Sequence, residues 1–180
     1  VGMNPTRSGL LHVLKSMGGK ISIKNTATIC NEEVADILVE SSDLHGVDVK
    51  GDIIPIIIDE IPILSIAASF AKGTTLIKDA AELRVKESDR LAAISDGLLK
   101  INIDHELFDD GIKINGSDKD IDDLVEIDSH GDHRIAMSFL IASLRSKNGI
   151  RVIDCKNIFT SFPTFLSSMK ELGLSINEQT

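Results

Sequence analysis

The chain has 180 residues, 42% of them hydrophobic and 26% charged, which is the composition of a soluble globular protein and not of a disordered one. Its 19 lysines and arginines stand against 28 aspartates and glutamates, and the net charge of −9, with no Trp or Tyr, argues against nucleic acid as the main partner. No apolar run reaches the roughly eighteen residues of a membrane span, and two widely spaced cysteines indicate free thiols, so we expect a cytoplasmic protein without a membrane partner.

The amino-terminal part begins with a helix pattern and continues into strands. Apolar residues recur at helical spacing over residues 6–17, and two glycines separate this helix from a strand at residues 20–23. Residues 31–36 are predicted as a helix or an irregular segment, and residues 46–49 alternate apolar and polar side chains as a strand does. No strand precedes the first helix and the chain does not begin with methionine, so we expect a piece of a longer protein.

The middle of the chain alternates helix and strand. A short apolar run at residues 53–58 leads to a predicted helix at residues 61–72, where Pro62 suits the first helical turn. A glycine ends this helix, and a strand is predicted at residues 74–78. A long helix is predicted at residues 86–100.

A hairpin is predicted next along the chain. Strands at residues 101–106 and 112–114 flank an Asp-Asp-Gly turn, and Asp-Gly between alternating runs is a strong hairpin signal. The acidic residues 117–126 that follow are predicted as a loop.

The remaining residues are predicted as two further pairs of helix and strand. The helices cover residues 132–146 and 162–172, and the strands cover residues 150–154 and 174–176. The order helix, strand, helix, strand, strand repeats along the chain, which favours α/β layers around a shared centre over one doubly wound sheet. The chain has no glycine-rich nucleotide-binding motif.

Charged residues open three of the predicted helices, at residues 59–62, 84–90 and 131–134. Five of the seven residues in the second cluster are charged, and Lys86 and Arg90 would lie one helical turn apart. Each cluster places ionisable side chains beside unpaired backbone N–H groups at the positive end of a helix dipole. If the three helix ends converge, they form an anion pocket in which Arg84, Lys86, Arg90 and Arg134 supply the positive charge. A surface charge run would explain the composition equally well.

The three charged clusters and the repeat resemble the EPSP synthase family of the shikimate pathway of aromatic amino acid biosynthesis. The segments that carry the resemblance are residues 4–9 (NPTRSG), 59–62 (DEIP), 82–91 (ELRVKESDRL), 132–137 (DHRIAM) and 161–163 (SFP). They fall in the family's order and cover essentially the whole chain. Because a family member is about twice as long, the resemblance implies that this chain is the C-terminal portion and that a missing N-terminal domain is its partner.

The resemblance also implies a fold and a division of the chain. The family has an α/β fold of repeated βαβαββ units, the enolpyruvyl transferase fold, and here we expect about two complete units plus part of a third. The expected divisions are residues 1–58, 59–130 with the RVKESDR motif, and 131–180 with the DHR motif.

The reaction that the resemblance implies transfers an enolpyruvyl group. The 5-hydroxyl of shikimate 3-phosphate adds to C2 of phosphoenolpyruvate as C3 is protonated, and phosphate is then eliminated. No metal and no organic cofactor is needed. Asp59 resembles the residue that contacts the 5-hydroxyl and accepts its proton, although a helix N-cap is a second explanation for this aspartate.

The remaining roles fall on the two other motifs. Glu87 resembles a proton donor beside the methylene carbon, although the neighbouring cations oppose a protonated carboxyl there. Lys86 resembles the catalytic lysine that binds shikimate 3-phosphate where the two substrates meet. Arg90 and Arg134 resemble the arginines that hold phosphoenolpyruvate, because a planar guanidinium suits carboxylate and phosphate. His133 resembles a residue that orients the acid or the phosphate.

Three alternatives and one departure from the family pattern stay open at this point. The spacing of His130, Asp132 and His133 could form a weak metal cluster, but no third ligand group stands out. Some family members carry a lysine before the last Phe-Pro, and residues 159–163 have no cation there. The related UDP-N-acetylglucosamine enolpyruvyl transferase is the nearest alternative enzyme. A non-catalytic binding module is the other alternative, and we expect the piece alone to be inactive and to self-associate.

Overall fold

The computed structural model describes residues 1–178 of the chain, so the last two residues of the expected third division lie outside it. The helices are α1 (Gly9–Ser16), α2 (Ile54–Ile57), α3 (Ile61–Ser69), α4 (Arg90–Lys100), α5 (His133–Ala142), α6 (Asn157–Ser161) and α7 (Phe165–Glu171). The strands are β1 (Lys20–Ile29), β2 (Glu32–Glu40), β3 (Asp48–Val49), β4 (Thr74–Ile77), β5 (His105–Phe108), β6 (Gly111–Asn115), β7 (Val125–Asp128) and β8 (Ile150–Ile153).

The strands form three small sheets. Strands β1 and β2 make an antiparallel hairpin, and β7 and β8 make a parallel pair. The third sheet has four strands in the order β3-β4-β6-β5, with β3 parallel to β4 and the other pairs antiparallel. Helix α3 connects the parallel pair β3 and β4, and α5 connects β7 and β8, which is the connection that parallel neighbours require.

One βαβαββ unit is complete among the described residues. It runs from β3 through α3, β4 and α4 to the hairpin of β5 and β6. The earlier unit contributes α1, β1 and β2, and the later one contributes β7, α5, β8 and α7. The α/β repeat is as expected, but one unit is complete where about two were predicted. The divisions at residues 58 and 130 stay predictions, and β3 pairs with β4 across the first of them.

The main core lies where α3, α4 and α5 pack together. Leu64, Leu91 and Ile135 are fully buried there, one from each helix. Gly97 allows α4 to approach α5 closely, since a Cβ at this position would lie 2.0 Å from the Phe139 ring. Burial of these side chains holds together the three helices whose starts adjoin charged residues.

Several predicted elements differ from the structure, including the strand predicted at residues 101–106, which is β5 at His105–Phe108. The predicted helix or irregular segment at residues 31–36 is part of β2, because Cys30 and Asn31 both have positive φ and form a two-residue hairpin turn. Strand β7 falls partly in the predicted acidic loop, where Val125 and Ile127 are buried and pair with β8. Residues 174–176 do not form a strand in the described chain, although Leu174 and Ile176 are buried.

The predicted helices are shorter in the structure, and three of them show why. The helix predicted at residues 86–100 begins at Arg90, after a 3-10 turn at Ala81–Val85. Of the helix predicted at residues 162–172 only α7, Phe165–Glu171, is present, and a separate short helix, α6, ends at Ser161 before Pro163, which has no N–H to continue a helix. Helix α3 ends at Ser69 instead of residue 72.

Candidate active site

The three charged helix starts meet at Arg90, the first residue of α4. Its side chain has no exposed surface, and its three nitrogens each donate to a different carboxylate. Nη1 donates to Asp59 at 3.1 Å, Nη2 to Glu87 at 2.6 Å and Nε to Asp132 at 2.7 Å. Burial alone would lower the pKa of the guanidinium, but the surrounding carboxylates raise it above its usual value. The convergence that the sequence predicted is confirmed.

Asp59 is the carboxylate on which most cations converge. Besides Arg90, its oxygens lie 3.6 Å from Nη2 of Arg134, 3.4 Å from Nη1 of Arg7 and 4.0 Å from Nζ of Lys86. Burial would raise the pKa of Asp59, but Arg134, Arg90 and Lys86 together hold it below its usual value. The carboxylate is therefore ionised at neutral pH.

The helix-cap explanation for Asp59 is wrong. Asp59 lies in a 3-10 turn at Ile58–Glu60, and the residue that caps α3 is Glu60. In the described structure no side chain makes a hydrogen bond that caps α3. Asp59 instead turns toward the cations of the two other motifs, where 23% of its side chain is exposed.

Asp132 connects the second and third motifs. It caps α5, where Oδ1 accepts from the backbone N–H groups of Arg134 at 2.9 Å and Ile135 at 3.4 Å. Oδ2 accepts from Nε of Arg90 at 2.7 Å and from Oγ of Ser88 at 3.2 Å. Burial would raise the pKa of this fully buried carboxyl, but Arg90 and the two backbone N–H donors outweigh burial and hold the pKa below its usual value.

Lys86 and Glu87 precede α4 and do not lie on its surface. Lys86 has an extended backbone, so it is not on one helix face with Arg90 as the sequence predicted, yet both side chains reach Asp59. Nζ of Lys86 also forms a close contact with Glu82. The Glu87 carboxylate binds Arg90 and has 52% of its side chain exposed.

Arg134 and His133 belong to the first turn of α5. Nη1 of Arg134 donates to the backbone carbonyl of Asp59 at 2.9 Å and lies 3.4 Å from Oε1 of Glu60. His133 is half-buried at the first position of the helix. Within residues 1–178 its side chain has no hydrogen bond or ion pair, so it is available to a ligand.

Arg84 does not join this cluster. Nη2 and Nε donate to the backbone carbonyls of Phe108 and Asp109 in the β5–β6 hairpin, and Nη1 pairs with Asp89 at 2.9 Å. Asp89 in turn caps α4 by accepting from Ala92. Arg84 is therefore not among the anion-binding cations, contrary to the prediction, because its guanidinium attaches the motif to the hairpin.

Sequence reasoning missed two members of the cluster. Arg7 belongs to the NPTRSG segment that supported the family resemblance, and that segment was the signal that could have identified it. Asp132 was considered as a metal ligand, but its oxygens are engaged by Arg90, Ser88 and α5. Among the described residues, no three His, Cys, Asp or Glu side chains gather as a metal site, and no helix is long and apolar enough to cross a membrane.

The chain is similar to known proteins over nearly its whole length. The family model for EPSP synthase (3-phosphoshikimate 1-carboxyvinyltransferase) matches residues 1–169. The 3-phosphoshikimate 1-carboxyvinyltransferase of Petrotoga mobilis is 52% identical over 174 residues, which cover 96% of this chain and 40% of that protein. The same-named protein of Ruthia magnifica is 46% identical over 98% of this chain and 40% of its own length.

Solved structures give the same result. The structure of EPSP synthase from Acinetobacter baumannii has a TM-score of 0.95 and 43% identity, covering 99% of this chain and 42% of that one. The enolpyruvyl transferase NikO from Streptomyces tendae, at 17% identity and a TM-score of 0.72, shares the fold over 96% of this chain and 36% of its own. The chain spans about 40% of the length of the curated relatives it matches. With the family model matching most of its residues, the chain belongs to the EPSP synthase family.

Proposed function

We propose that this chain supplies one side of the active site of a 3-phosphoshikimate 1-carboxyvinyltransferase. The enzyme joins the 5-hydroxyl oxygen of shikimate 3-phosphate to C2 of phosphoenolpyruvate while C3 takes up a proton. C3 then loses a proton as the bond from C2 to the phosphate oxygen breaks, and enolpyruvyl shikimate phosphate and phosphate leave. The observation that carries the proposal is the convergence of Arg90, Arg134 and Lys86 on the Asp59 carboxylate.

Asp59 is the proposed base for the 5-hydroxyl. A base must be ionised before the reaction and must lie within reach of the proton it removes. The surrounding cations keep Asp59 ionised, and part of its side chain faces the open side of the cluster. Lys86, at 4.0 Å from the same carboxylate, is the proposed ligand of shikimate 3-phosphate.

Arg90 and Arg134 are the proposed ligands of phosphoenolpyruvate. In the structure, Nη2 of Arg90 is bound by the exposed carboxylate of Glu87 at 2.6 Å. A carboxylate or phosphate oxygen of the substrate can take the place of Glu87, because both groups bind a guanidinium with the same geometry. Arg134 has 29% of its side chain exposed beside Asp59 and can bind the same substrate from the other side.

Glu87 and His133 are the proposed residues for proton transfer at the methylene carbon. Once substrate displaces Glu87 from Arg90, its carboxyl is free to exchange a proton with C3. His133 follows Asp132 directly, and its unengaged ring can orient Glu87 or the leaving phosphate. The proposal includes no metal and no organic cofactor, and it assigns the enzyme to the cytoplasm.

The chain alone is proposed to be inactive and to need the amino-terminal part of the enzyme. An apolar groove of about 520 Å³ runs between three helices and is lined by residues that include Leu10 and Leu14 of α1, Ile63 and Ile66 of α3, and Ile141 of α5. Such an apolar surface gains stability when it is covered. We propose that the remaining part of the enzyme covers it, and that the chain alone self-associates through it.

Phosphate release tests the proposal. The chain is incubated with phosphoenolpyruvate and shikimate 3-phosphate, first alone and then with the amino-terminal part of a relative. Release in the second mixture only is the expected result, and no release in either mixture would contradict the function. Release with UDP-N-acetylglucosamine in place of shikimate 3-phosphate would support the alternative transferase, which the names of the matched relatives do not favour. Light scattering on the chain alone tests self-association, and a monomeric mass at high concentration would count against it.

A further inference from the structure

Asp132 is the most deeply buried carboxylate next to the proposed substrate cations. Neither it nor Arg90 has any exposed side-chain surface, whereas Asp59 and Glu87, the other carboxylates on Arg90, are 23% and 52% exposed. Arg90 therefore has an inner edge, Nε, held by Asp132, and an outer pair of nitrogens that face more exposed groups. A ligand approaching from solvent can replace the exposed Glu87 contact without disturbing the inner one.

The two oxygens of Asp132 are used for different purposes. Oδ2 accepts from Nε of Arg90 and from Oγ of Ser88 in the second motif. Oδ1 accepts from the backbone N–H groups of Arg134 and Ile135 in the first turn of α5. A single carboxylate thus fixes the guanidinium of one arginine relative to the backbone of the other.

We propose that Asp132 is a positioning residue for phosphoenolpyruvate binding, holding Arg90 with one oxygen and the helix turn that carries Arg134 with the other. This inference rests on the proposed function, since it takes Arg90 and Arg134 as the ligands of phosphoenolpyruvate. Asp132 itself does not touch the substrate. Its effect is to keep the outer nitrogens of Arg90 and the start of α5 in one fixed arrangement, which avoids ordering them when substrate binds.

A carboxylate is required here because four donors point at the side chain. An ionised Asp has acceptor sites on both oxygens, whereas Asn has one acceptor oxygen and one NH₂ group. Whichever way the amide of the Asp132→Asn variant is turned, either Nε–H of Arg90 or the two backbone N–H groups of α5 face another donor. The substitution therefore keeps the size of the side chain but loses the contact either with Arg90 or with the first turn of α5.

Asp89 provides a matched control. It caps α4 as Asp132 caps α5, and it also pairs with an arginine, Arg84, at 2.9 Å. That arginine is attached to the β5–β6 hairpin and lies outside the cluster around Asp59. Asp89→Asn changes the same kind of residue at the same kind of position without touching either proposed substrate arginine.

The kinetic test uses the chain combined with the amino-terminal part of a relative. For Asp132→Asn we expect the kcat/KM for phosphoenolpyruvate to fall about 10- to 100-fold, the range for losing a hydrogen bond to a charged group, mainly through KM. The KM for shikimate 3-phosphate should change less than about twofold, and Asp89→Asn should leave both constants within about twofold. An equal loss for both substrates would overturn the proposal, since that would indicate a general structural defect.

Arg90→Lys tests whether Asp132 acts through Arg90. Lysine has no Nε–H at the position that Asp132 holds, so Asp132→Asn should have little further effect on phosphoenolpyruvate binding in that background. Additive losses in the double variant would overturn the proposal. If the wild-type combination releases no phosphate, that result contradicts the proposed function. Whether Asp132 binds and orders Arg90 is then tested independently by nuclear magnetic resonance.

Exchange of arginine Nε–H groups with solvent needs only the chain itself. In the wild type, Nε–H of Arg90 should exchange more slowly than that of Arg84, whose side chain is 30% exposed. Asp132→Asn should speed the exchange of Arg90 at least about tenfold and leave Arg84 unchanged. If Asp132→Asn does not fold, the wild-type comparison still decides, because equal exchange at Arg84 and Arg90 would overturn the proposal.

Discussion

Helices α4 and α5 begin in the same way but in opposite surroundings. Each is capped by an aspartate, Asp89 or Asp132, and each aspartate also binds an arginine. The first pair is partly exposed, with 40% of the Asp89 side chain open to solvent, whereas the second pair has no exposed side-chain surface. The same sequence pattern therefore gives ion pairs of different strength. Solvent weakens the exposed pair, whereas in the buried pair each charge depends on its partner because water cannot replace it.

The largest difference in stability between the two helix starts is expected when each capping aspartate loses its carboxylate. Asp132→Ala removes the cap of α5 and the inner partner of the buried Arg90, which keeps Asp59 and Glu87, so the free energy of unfolding should fall by about 2–5 kcal/mol. Asp89→Ala removes a helix cap and an exposed pair and should cost about 1 kcal/mol. Urea unfolding of both variants measures the two losses. Equal losses would mean that burial does not distinguish the two pairs.

A smaller loss of stability is expected when α4 and α5, the helices that these two aspartates cap, are pushed apart. Gly97→Ala places a methyl group against Phe139 between α4 and α5, and overpacking of this kind costs about 1–3 kcal/mol. Gly2→Ala is the control, because a Cβ there has no heavy atom within 4 Å, and it should change stability by less than about 0.5 kcal/mol. Thermal unfolding measures both, and an unchanged midpoint for Gly97→Ala would contradict the close contact.

The decrease in the free energy of unfolding at acid pH should depend on Asp132. Its folded pKa lies below the unfolded value of about 3.9, so its contribution is present above that pH and is lost as the pH falls through the folded pKa. Wild-type unfolding free energy should therefore decrease below about pH 4, and Asp132→Asn should reduce that slope by up to about 1.4 kcal/mol per pH unit. Unfolding in urea at several pH values tests this, and parallel slopes would contradict it.

The smallest expected effect concerns salt. Raising the salt concentration to about 1 M shortens the screening length to about 3 Å, which weakens the partly exposed pair of Arg84 and Asp89. The cost of Asp89→Asn should therefore shrink by a few tenths of a kcal/mol, while the cost of Asp132→Asn should stay the same. Urea unfolding of both variants at low and high salt gives the comparison. A cost of Asp132→Asn that also disappears in salt would show that its pair is open to solvent.

The candidate cluster was predictable from the motifs to a considerable extent. Asp59, Lys86, Arg90 and Arg134 were selected because charged residues precede apolar helices, and the structure brings these four side chains together. Their catalytic and substrate-binding roles stay predictions. Arg84 was misassigned because its sequence neighbourhood is the same as that of Lys86, and the difference lies in the hairpin carbonyls that it binds.

The elements were predictable where the local pattern and the tertiary environment agree. The Asp-Gly turn at residues 109–111 and helix α5 followed from short-range signals. Strand β2 did not, because its turn depends on positive φ at Cys30 and Asn31, and cysteine carries no preference for that conformation. Strand β7 was not predicted because it begins within a run of acidic residues, and its pairing with β8 identifies it as a strand.

By itself the sequence determined the α/β repeat, the family resemblance and the short list of charged residues at three helix starts. These properties depend on periodicity and on neighbouring residues, which a single chain displays directly. Tertiary structure decided that Asp132, not Asp89, is buried against the arginine of the cluster, and that Asp59 faces cations instead of capping a helix. The reason is that burial and long-range pairing come from packing α3, α4 and α5 together, and no local signal reports which cap will lie inside.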